Sequence, residues 1–345
     1  MRCNEAADEC AAAVSDWIGR RKLLVLLGFG ISALTKPLFP LAFGIGTVLV
    51  ARFVDRIGKG IRGAPRDALI GDVTPVELRG TAFGLRQSMD TVGAFLGPLL
   101  AMLFMAASGD NFRLVFWIAV LPAIISVVLI FYGVQEPDAP PRTERRPFPI
   151  QRSELRRLDL AYWVLVGIAT ILTLGRFSEA FLLLAAQHVG LAVALIPGVL
   201  VTMNIVYAAS AYPFSRLSDT MSRRMVLALG AGFLIAADMV LAMARTPSLV
   251  FVAVILWGLH MGATQGLLST LVVDAAPADL RGTALGMYNL TTGIALLLAS
   301  VLAGWLWTAF GPAATFLAGA SFVGIAVLGV VSWQPSYEAD TSNLC

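Results

Sequence analysis

The sequence contains few charged residues and very little cysteine or histidine. Only 14% of its 345 residues are Asp, Glu, Lys or Arg, whereas a soluble domain carries about 25%. There are two histidines, and the three cysteines all lie near the ends of the chain. So few cysteines and histidines imply neither a disulfide framework nor a metal site. Paired carboxylates for a soluble cleft and a phosphate-binding loop are also missing, so nothing predicts an enzyme, a cofactor or a nucleic-acid partner.

Hydrophobic residues make up 58% of the chain. Stretches long enough to cross about 30 Å of hydrocarbon as a helix are predicted at 23–43, 47–71, 82–106, 113–134, 160–187, 194–214, 225–244, 249–273, 283–308 and 312–333. Ten spans place both ends of the chain on one side of the membrane. The sequence therefore predicts an all-α integral membrane protein with about ten transmembrane helices.

Two sequence phrases occur twice, about 200 residues apart. SDWIGRRKLL at 15–24 returns as SDTMSRRMVL at 218–227, an offset of 203 residues. TPVELRGTAFG at 74–84 returns as APADLRGTALG at 276–286, an offset of 202 residues. Two independent pairs with nearly the same offset indicate that a unit of several membrane helices has been duplicated.

Lys and Arg are distributed unevenly between the predicted loops. One side of the membrane receives 15 of the 25, and the other receives only Arg113 and Arg245. Basic loops are cytoplasmic, so the termini are predicted in the cytoplasm of a cell with a bacterial-type plasma (inner) membrane. The chain then divides into a cytoplasmic start and basic turn (1–22), a first half of four helices (23–134), a cytoplasmic linker (135–159), a second half of six helices (160–334) and a cytoplasmic tail (335–345).

The duplication also makes a prediction about the start of the first half. In the second half an apolar span begins near Leu160, 58 residues before Ser218. The equivalent of that span for Ser15 would begin about 43 residues before Met1 if the halves are equal. We therefore expect the first half to lack two helices, through a truncation or an incomplete gene prediction.

The two basic turns resemble the cytoplasmic signature of the major facilitator superfamily. The residues that carry the resemblance are Asp16, Gly19, Arg20 and Arg21 in the first turn, Asp219, Arg223 and Arg224 in the second, RIGKG at 56–60 and GAFLGP at 93–98. The resemblance implies a transporter with twelve helices in two six-helix halves, here without the first two, and a helix-packing motif at Gly93, Gly97 and Pro98. The sequence departs from the family pattern at Ser222, where glycine is expected, and after Pro98, where the glycine pair associated with antiporters is missing.

The same resemblance implies that the basic turns take part in a cytoplasmic gate that closes during alternating access. Asp72, at the end of the second predicted span, is a plausible partner for the bases of the first turn. The predicted gate residues are Asp16, Gly19, Arg20, Arg21, Asp72, Arg79, Asp219, Arg223, Arg224 and Arg281. The alternative interpretation is a static anchor of the topology.

The predicted span 47–71 is unusually charged. It carries Arg52, Asp55, Arg56, Lys59, Arg62, Arg66 and Asp67. Each ionised residue costs about 2.5–3.5 kcal/mol near the bilayer centre, so this helix must face protein, water or ligand. We expect Asp55 to pair with Lys59 or Arg52, and we expect Arg56, Lys59 and Arg62 to line a central cavity that binds an anionic group. The alternative is a helix held to its neighbours by ion pairs that never contacts substrate.

Carboxylates within the other spans are candidates for proton coupling, because an intramembrane carboxyl group can carry a proton. The candidates are Glu179 and Asp90, together with Asp55 of the charged span. Arg176, three residues before Glu179, is a further candidate for substrate binding, and a local ion pair between the two is the alternative. His260 is interpreted as a packed polar group, and the glycines of WGLHMGATQG as a ridge for close helix packing.

Together these features predict a secondary active transporter that works by alternating access. It would move a small anionic or zwitterionic solute, coupled to protons or another ion, as a monomer in the lipid bilayer. Two alternatives stay open. One is a multidrug-type exporter of amphipathic compounds, and the other is a transport-dead fragment that serves as a membrane sensor or assembly partner.

Overall fold

The computed structural model describes residues 21–109, 111–135, 155–192 and 195–332. All regular structure in these residues is helical, which confirms the predicted all-α class. The helices are α1 Arg21–Thr35, α2 Ile45–Val73, α3 Arg79–Ala107, α4 Phe112–Gly133, α5 Leu160–Gly175, α6 Ala180–His188, α7 Pro197–Thr220, α8 Arg223–Ala242, α9 Pro247–Asp274, α10 Arg281–Phe310 and α11 Pro312–Ser332. Short 3-10 turns at Lys36–Leu38 and Val76–Leu78 follow α1 and precede α3.

Each of the ten predicted spans contains helical structure in its described residues. Within the described residues, seven helical stretches are long and apolar enough to cross a membrane: 76–105, 112–133, 160–188, 223–242, 247–274, 281–310 and 312–332. The other three spans fall short for different reasons. The described part of α1 has 15 residues, α2 carries the seven charges noted above, and α7 is less apolar.

The predicted span 160–187 is divided into two helices. α5 ends at Gly175 and α6 begins at Ala180. Arg176 leaves the helical conformation with φ −97° and ψ 70°, and its backbone N–H bonds the carbonyl groups of Leu172 and Thr173. Irregular backbone at membrane depth is tolerated where it is buried in protein or lines a cavity, so this break marks Arg176 to Glu179 as a segment of interest.

The described residues group into two compact units, and each includes a piece of the other sequence half. Unit 1 draws on Met1–Val73, Leu96–Leu158 and Ala276–Leu290, and unit 2 on Thr74–Phe95, Asp159–Ala275 and Thr291–Cys345. The exchanged segments, 276–290 and 74–95, both contain the repeated LRG phrase. Contacts between the two sequence halves are therefore present inside each unit.

Small residues let the helices approach closely in both units. In unit 1, a Cβ built on Gly28 of α1 would lie 2.7 Å from the carbonyl oxygen of Gly58 in α2. In unit 2, a Cβ on Gly258 of α9 would lie 2.8 Å from the Met203 carbonyl oxygen of α7, and one on Gly266 would lie 2.9 Å from Ser215 Oγ. The predicted glycine ridge on α9 is confirmed, and α9 is the most deeply packed helix of unit 2.

Candidate functional site

A cluster of buried charges in unit 2 joins the ends of three helices. Asp274, the last residue of α9, accepts hydrogen bonds from Arg79 at the start of α3 and from Arg223 at the start of α8. Arg223 also donates to the carbonyl oxygen of Val76 at 3.3 Å. An acid at a helix C-terminus is unfavourable by itself, so the two guanidinium groups supply the charge that stabilises it. We call Arg79, Arg223 and Asp274 the unit 2 cluster.

Beside this cluster, the carboxylate of Asp219 caps the first turn of α3. It accepts the backbone N–H groups of Gly80 at 2.9 Å and Thr81 at 2.7 Å, and the Thr81 hydroxyl at 2.6 Å. The first N–H groups of a helix have no partner within the helix and attract negative charge. Glycine is required at this contact, because a Cβ on Gly80 would overlap the Asp219 carboxylate, and one on Gly84 would overlap Ser215.

Unit 1 contains the equivalent cluster on its own helices. Asp72, near the end of α2, lies 2.9 Å from a guanidinium nitrogen of Arg21 and 2.7 Å from one of Arg281. We call Arg21, Asp72 and Arg281 the unit 1 cluster. The two clusters are related by the duplication, because each residue in the first half has an equivalent 202 residues later. The equivalent pairs are Arg21 and Arg223, Asp72 and Asp274, and Arg79 and Arg281. In both clusters the acid therefore binds one base from its own sequence half and one from the other half.

The structure describes only some of the predicted gate residues. Asp16, Gly19 and Arg20 lie outside the described residues. Arg21 contacts Asp72, the partner that the sequence favoured. Arg224 is half-buried next to Arg223. The sequence did not predict that each acid would bind the arginine of the opposite LRG phrase, although the equal offsets of these residues carried that signal.

The charged helix α2 presents its cations in different environments. Arg56 and Lys59 are exposed, whereas Arg62 is half-buried with its guanidinium carbon 3.9 Å from the centre of the Phe29 ring. Asp55 accepts a hydrogen bond from Lys36 Nζ at 3.2 Å. Sequence reasoning missed Lys36 as a partner because it lies on the 3-10 turn after α1, 19 residues away.

Polar groups from three elements of unit 2 come together at the break between α5 and α6. Arg176 donates to the sulfur of Met261 at 3.2 Å and interacts electrostatically with Glu179 and with the Tyr207 hydroxyl of α7. Arg86 of α3 interacts with the same hydroxyl and lies 3.1 Å from Asp90, one helical turn along α3. We call Arg86, Arg176, Glu179 and Tyr207 the break site. Tyr207 belongs to no sequence motif, and the sequence did not predict it as a site residue.

His260 lies near this site but is a packed polar group, as predicted. The side chain is buried, and Nδ1 is 2.9 Å from the carbonyl oxygen of Gly230 in α8. Among the described residues, no group of three or more His, Cys, Asp and Glu side chains is arranged to hold a metal ion.

A family model for the Major Facilitator Superfamily matches residues 10–201 and 160–343. The chain belongs to this superfamily. An uncharacterised transporter of this type from Methanocaldococcus jannaschii is 31% identical over 324 residues, which are 92% of this chain and 78% of the relative. Superfamily members are transporters and not enzymes, so this chain is a membrane transporter.

Two solved structures of the superfamily share the fold. The Escherichia coli fucose:proton symporter FucP superposes with a TM-score of 0.79 at 15% identity, covering 95% of this chain and 87% of FucP. The human organic anion transporter MFSD10 superposes with a TM-score of 0.74 at 16% identity, covering 95% of this chain and 80% of MFSD10. At these identities the likeness establishes the fold alone.

The helix-packing motif expected at Gly93, Gly97 and Pro98 stays a prediction. Among the described residues, a Cβ built on Gly93 or Gly97 would meet no atom within 4 Å. The side chain of Pro98 lies outside the described residues. Close contacts of α3 with α7 are made earlier on the helix, at Gly80 and Gly84.

Proposed function

We propose that this transporter moves a small anionic or zwitterionic solute by alternating access, coupled to protons, across a bacterial-type plasma membrane, and that it acts as a monomer. The observation that carries the proposal is the break site. The guanidinium groups of Arg86, on α3, and of Arg176, in the break, both interact electrostatically with the Tyr207 hydroxyl beside this interrupted helix. Interrupted helices form solute sites in transporters, and arginine pairs suit carboxylate and phosphate groups.

Asp90 gives this site a means of coupling solute to protons. Its carboxylate holds Arg86 at 3.1 Å and is 48% exposed, so it is open to exchange with water. A solute anion would compete with Asp90 for Arg86. Protonation of Asp90 would release Arg86 to the solute. Protonation of Glu179 would remove a negative charge that interacts electrostatically with Arg176. Proton binding and anion binding would then favour each other.

The two charge clusters are proposed to act as the cytoplasmic gate. Each acid binds bases from both sequence halves, so separating the halves on this side would break both clusters and the Asp219 cap. Charged groups regain water when they separate, and the contact can therefore open and close without a large change in free energy. Their position beside the basic turns supports a gate on the cytoplasmic side.

The exposed cations of α2 have a separate proposed role. Arg56 and Lys59 lie away from the face that α2 buries against α1. Exposed positive charge in a low-dielectric pathway raises the local concentration of anions. Two structural neighbours are a proton symporter and an organic anion transporter, and both activities are in keeping with a proton-coupled anion transporter.

The proposal is tested by uptake into proteoliposomes under an imposed pH gradient. The solutes are radiolabelled mono- and dicarboxylates, phosphate esters and amino acids. We expect gradient-dependent uptake of at least one anionic or zwitterionic class, and we expect Arg176→Gln and Lys59→Ala to reduce it strongly. Arg245→Gln, at an exposed position just before α9, is the matched control. Transport of amphipathic cations and no anion would instead identify a multidrug-type exporter, and wild-type rates in Arg176→Gln at equal protein would overturn the break site.

A further inference from the structure

The carboxyl group of Asp238 lies inside unit 2 without a polar partner. The residue sits in α8 with 0% of its surface exposed. Neither carboxylate oxygen has a hydrogen-bond partner among the described residues. Two other acids of unit 2 do have polar partners. Asp274 binds two arginines, and Asp219 accepts three hydrogen bonds. Asp238 is therefore an exception that needs an explanation.

A glycine lies next to this carboxyl group and to the Phe177 ring, which packs on two further aromatic rings. A Cβ built on Gly319 of α11 would lie 2.8 Å from Asp238 Oδ2 and 2.9 Å from the Phe177 ring. The Phe177 ring centroid is 5.8 Å from that of Trp257 and 5.6 Å from that of Phe316. Asp238 therefore occupies a buried pocket where α8 meets α11, and the Phe177 ring lies beside the same glycine.

Among the residues that the structure describes, no charged group forms a hydrogen bond with Asp238. α11 contains no Asp, Glu, Lys, Arg or His. α9 contributes His260, which bonds Gly230. α7 carries Tyr207, Tyr212, Arg216 and Asp219, and the break carries Arg176 and Glu179. Among the described residues, no hydrogen bond joins any of these groups to Asp238.

Stability alone does not account for an acid at this position. An unpaired charge in the protein interior costs several kcal/mol, and even a neutral hydroxyl that lacks a partner costs about 1–3 kcal/mol. An apolar side chain of similar size would be more stable here. Since packing gains nothing from the carboxyl group, its ability to bind and release a proton is the property that the position can use.

We propose that Asp238 is a proton-carrying carboxyl group of the transport cycle, protonated in the conformation described here and released to water when Phe177 moves away. Phe177 directly follows Arg176, so the ring beside the Asp238 pocket and the break site belong to one irregular segment. A solute that draws Arg176 towards itself would move Phe177. Water could then hydrate the pocket, and the O–H bond would dissociate into a carboxylate and a hydrated proton. This inference rests on the proposed proton-coupled function.

Infrared spectroscopy of the purified full chain in lipid tests the proposal without a known solute. A protonated carboxyl group gives a carbonyl stretch that is separate from carboxylate bands. We expect this band in the wild type at neutral pH and its loss in Asp238→Asn. In Phe177→Ala the band should weaken at neutral pH and titrate at lower pH, because water reaches the pocket. Phe181→Ala is the matched control. It removes a ring that packs on Phe177 but leaves the Phe177 ring itself in place, so the band should stay as in the wild type.

The outcomes separate this inference from the proposed function. An ionised Asp238 in the wild type, or a band that Phe177→Ala leaves unchanged at every pH, overturns the role of Asp238. Gradient-driven uptake in Asp238→Asn equal to the wild type also overturns it, while the proposed function stands if Glu179→Gln or Asp90→Asn abolishes that uptake. If uptake by the wild type does not depend on the pH gradient, proton coupling as a whole is overturned. The wild-type spectrum needs no variant, so a folding defect in Asp238→Asn leaves the test intact.

Discussion

The carboxylate of Asp274 binds the guanidinium group of Arg79, although 195 residues separate them in the sequence. The equivalent contact in unit 1, between Asp72 and Arg281, spans 209 residues and measures 2.7 Å. Arg79 precedes Asp274 in the sequence, whereas Arg281 follows Asp72. The duplication has therefore produced the same contact twice, once with the base in the first half and once with the base in the second half. The two contacts differ in burial, because the Asp274 side chain is 5% exposed and that of Asp72 is 19% exposed.

This difference predicts unequal effects when each acid is neutralised. Removing one partner of a buried ion pair costs about 3–5 kcal/mol, whereas solvent screening reduces the effect for a more exposed pair. We expect Asp274→Asn to lower the thermal unfolding midpoint more than Asp72→Asn in the same detergent. Asp279→Asn, which breaks an exposed contact with Arg157, is the control and should change the midpoint least. Equal shifts for Asp72→Asn and Asp274→Asn would contradict the role of burial.

Loss of the Asp219 cap should favour opening of the gate. Removing an N-cap acid costs a helix about 0.5–2 kcal/mol, which corresponds to about a two- to thirtyfold change in population. We expect Asp219→Ala to increase maleimide labelling of Ser88→Cys, in a background where the native cysteines are replaced. Ser88 is buried between α3 and α7, where its hydroxyl bonds the Ala208 carbonyl at 3.0 Å.

The control for this experiment is the adjacent residue. Thr220 is exposed, and its hydroxyl bonds the Leu217 carbonyl within its own helix. Thr220→Ala should leave the labelling rate of Ser88→Cys unchanged. If Thr220→Ala and Asp219→Ala accelerate labelling equally, the effect arises from the end of α7 and not from the cap on α3.

The sequence was most informative where the duplication repeats a residue. Asp72 and Asp274, or Arg79 and Arg281, recur at one offset, and these residues form the clusters. It was least informative where a contact depends on irregular backbone. The break at Arg176 and the contact of Lys36 with Asp55 come from a helix interruption and a 3-10 turn, and neither follows from helical periodicity. Asp238 lies within the predicted span 225–244, but its lack of a polar partner is a property of the packed helices and does not follow from the sequence.

Two glycines of α3 should respond in opposite ways to the same substitution. Gly→Ala inside a helix stabilises it by about 0.5–1 kcal/mol when space permits. Gly93→Ala meets no atom within 4 Å and should keep or slightly raise the unfolding midpoint. Gly84→Ala would push α3 away from Ser215 and the Ala211 carbonyl oxygen, which lies 2.9 Å from the built Cβ.

We therefore expect Gly84→Ala to destabilise the closed contact of α3 with α7 and to increase labelling of Ser88→Cys, since overpacking costs about 1–3 kcal/mol. Gly93→Ala serves as the control on the same helix. Slower or unchanged labelling in Gly84→Ala would mean that α3 and α7 do not separate when the gate opens.

Lys59 and Arg62, one turn apart on α2, should separate a transport effect from a stability effect. The Arg62 guanidinium stacks on the Phe29 ring at 3.9 Å, an interaction of about 0.5–2 kcal/mol, whereas Lys59 is exposed. We expect Arg62→Ala to lower the unfolding midpoint and Lys59→Ala to leave it nearly unchanged while reducing anion uptake. A double-mutant cycle with Phe29→Leu measures the Arg62 contact. If Lys59→Ala transports anions at the wild-type rate and Arg62→Lys does not, the solute contacts Arg62, and the proposed division of roles along α2 is reversed.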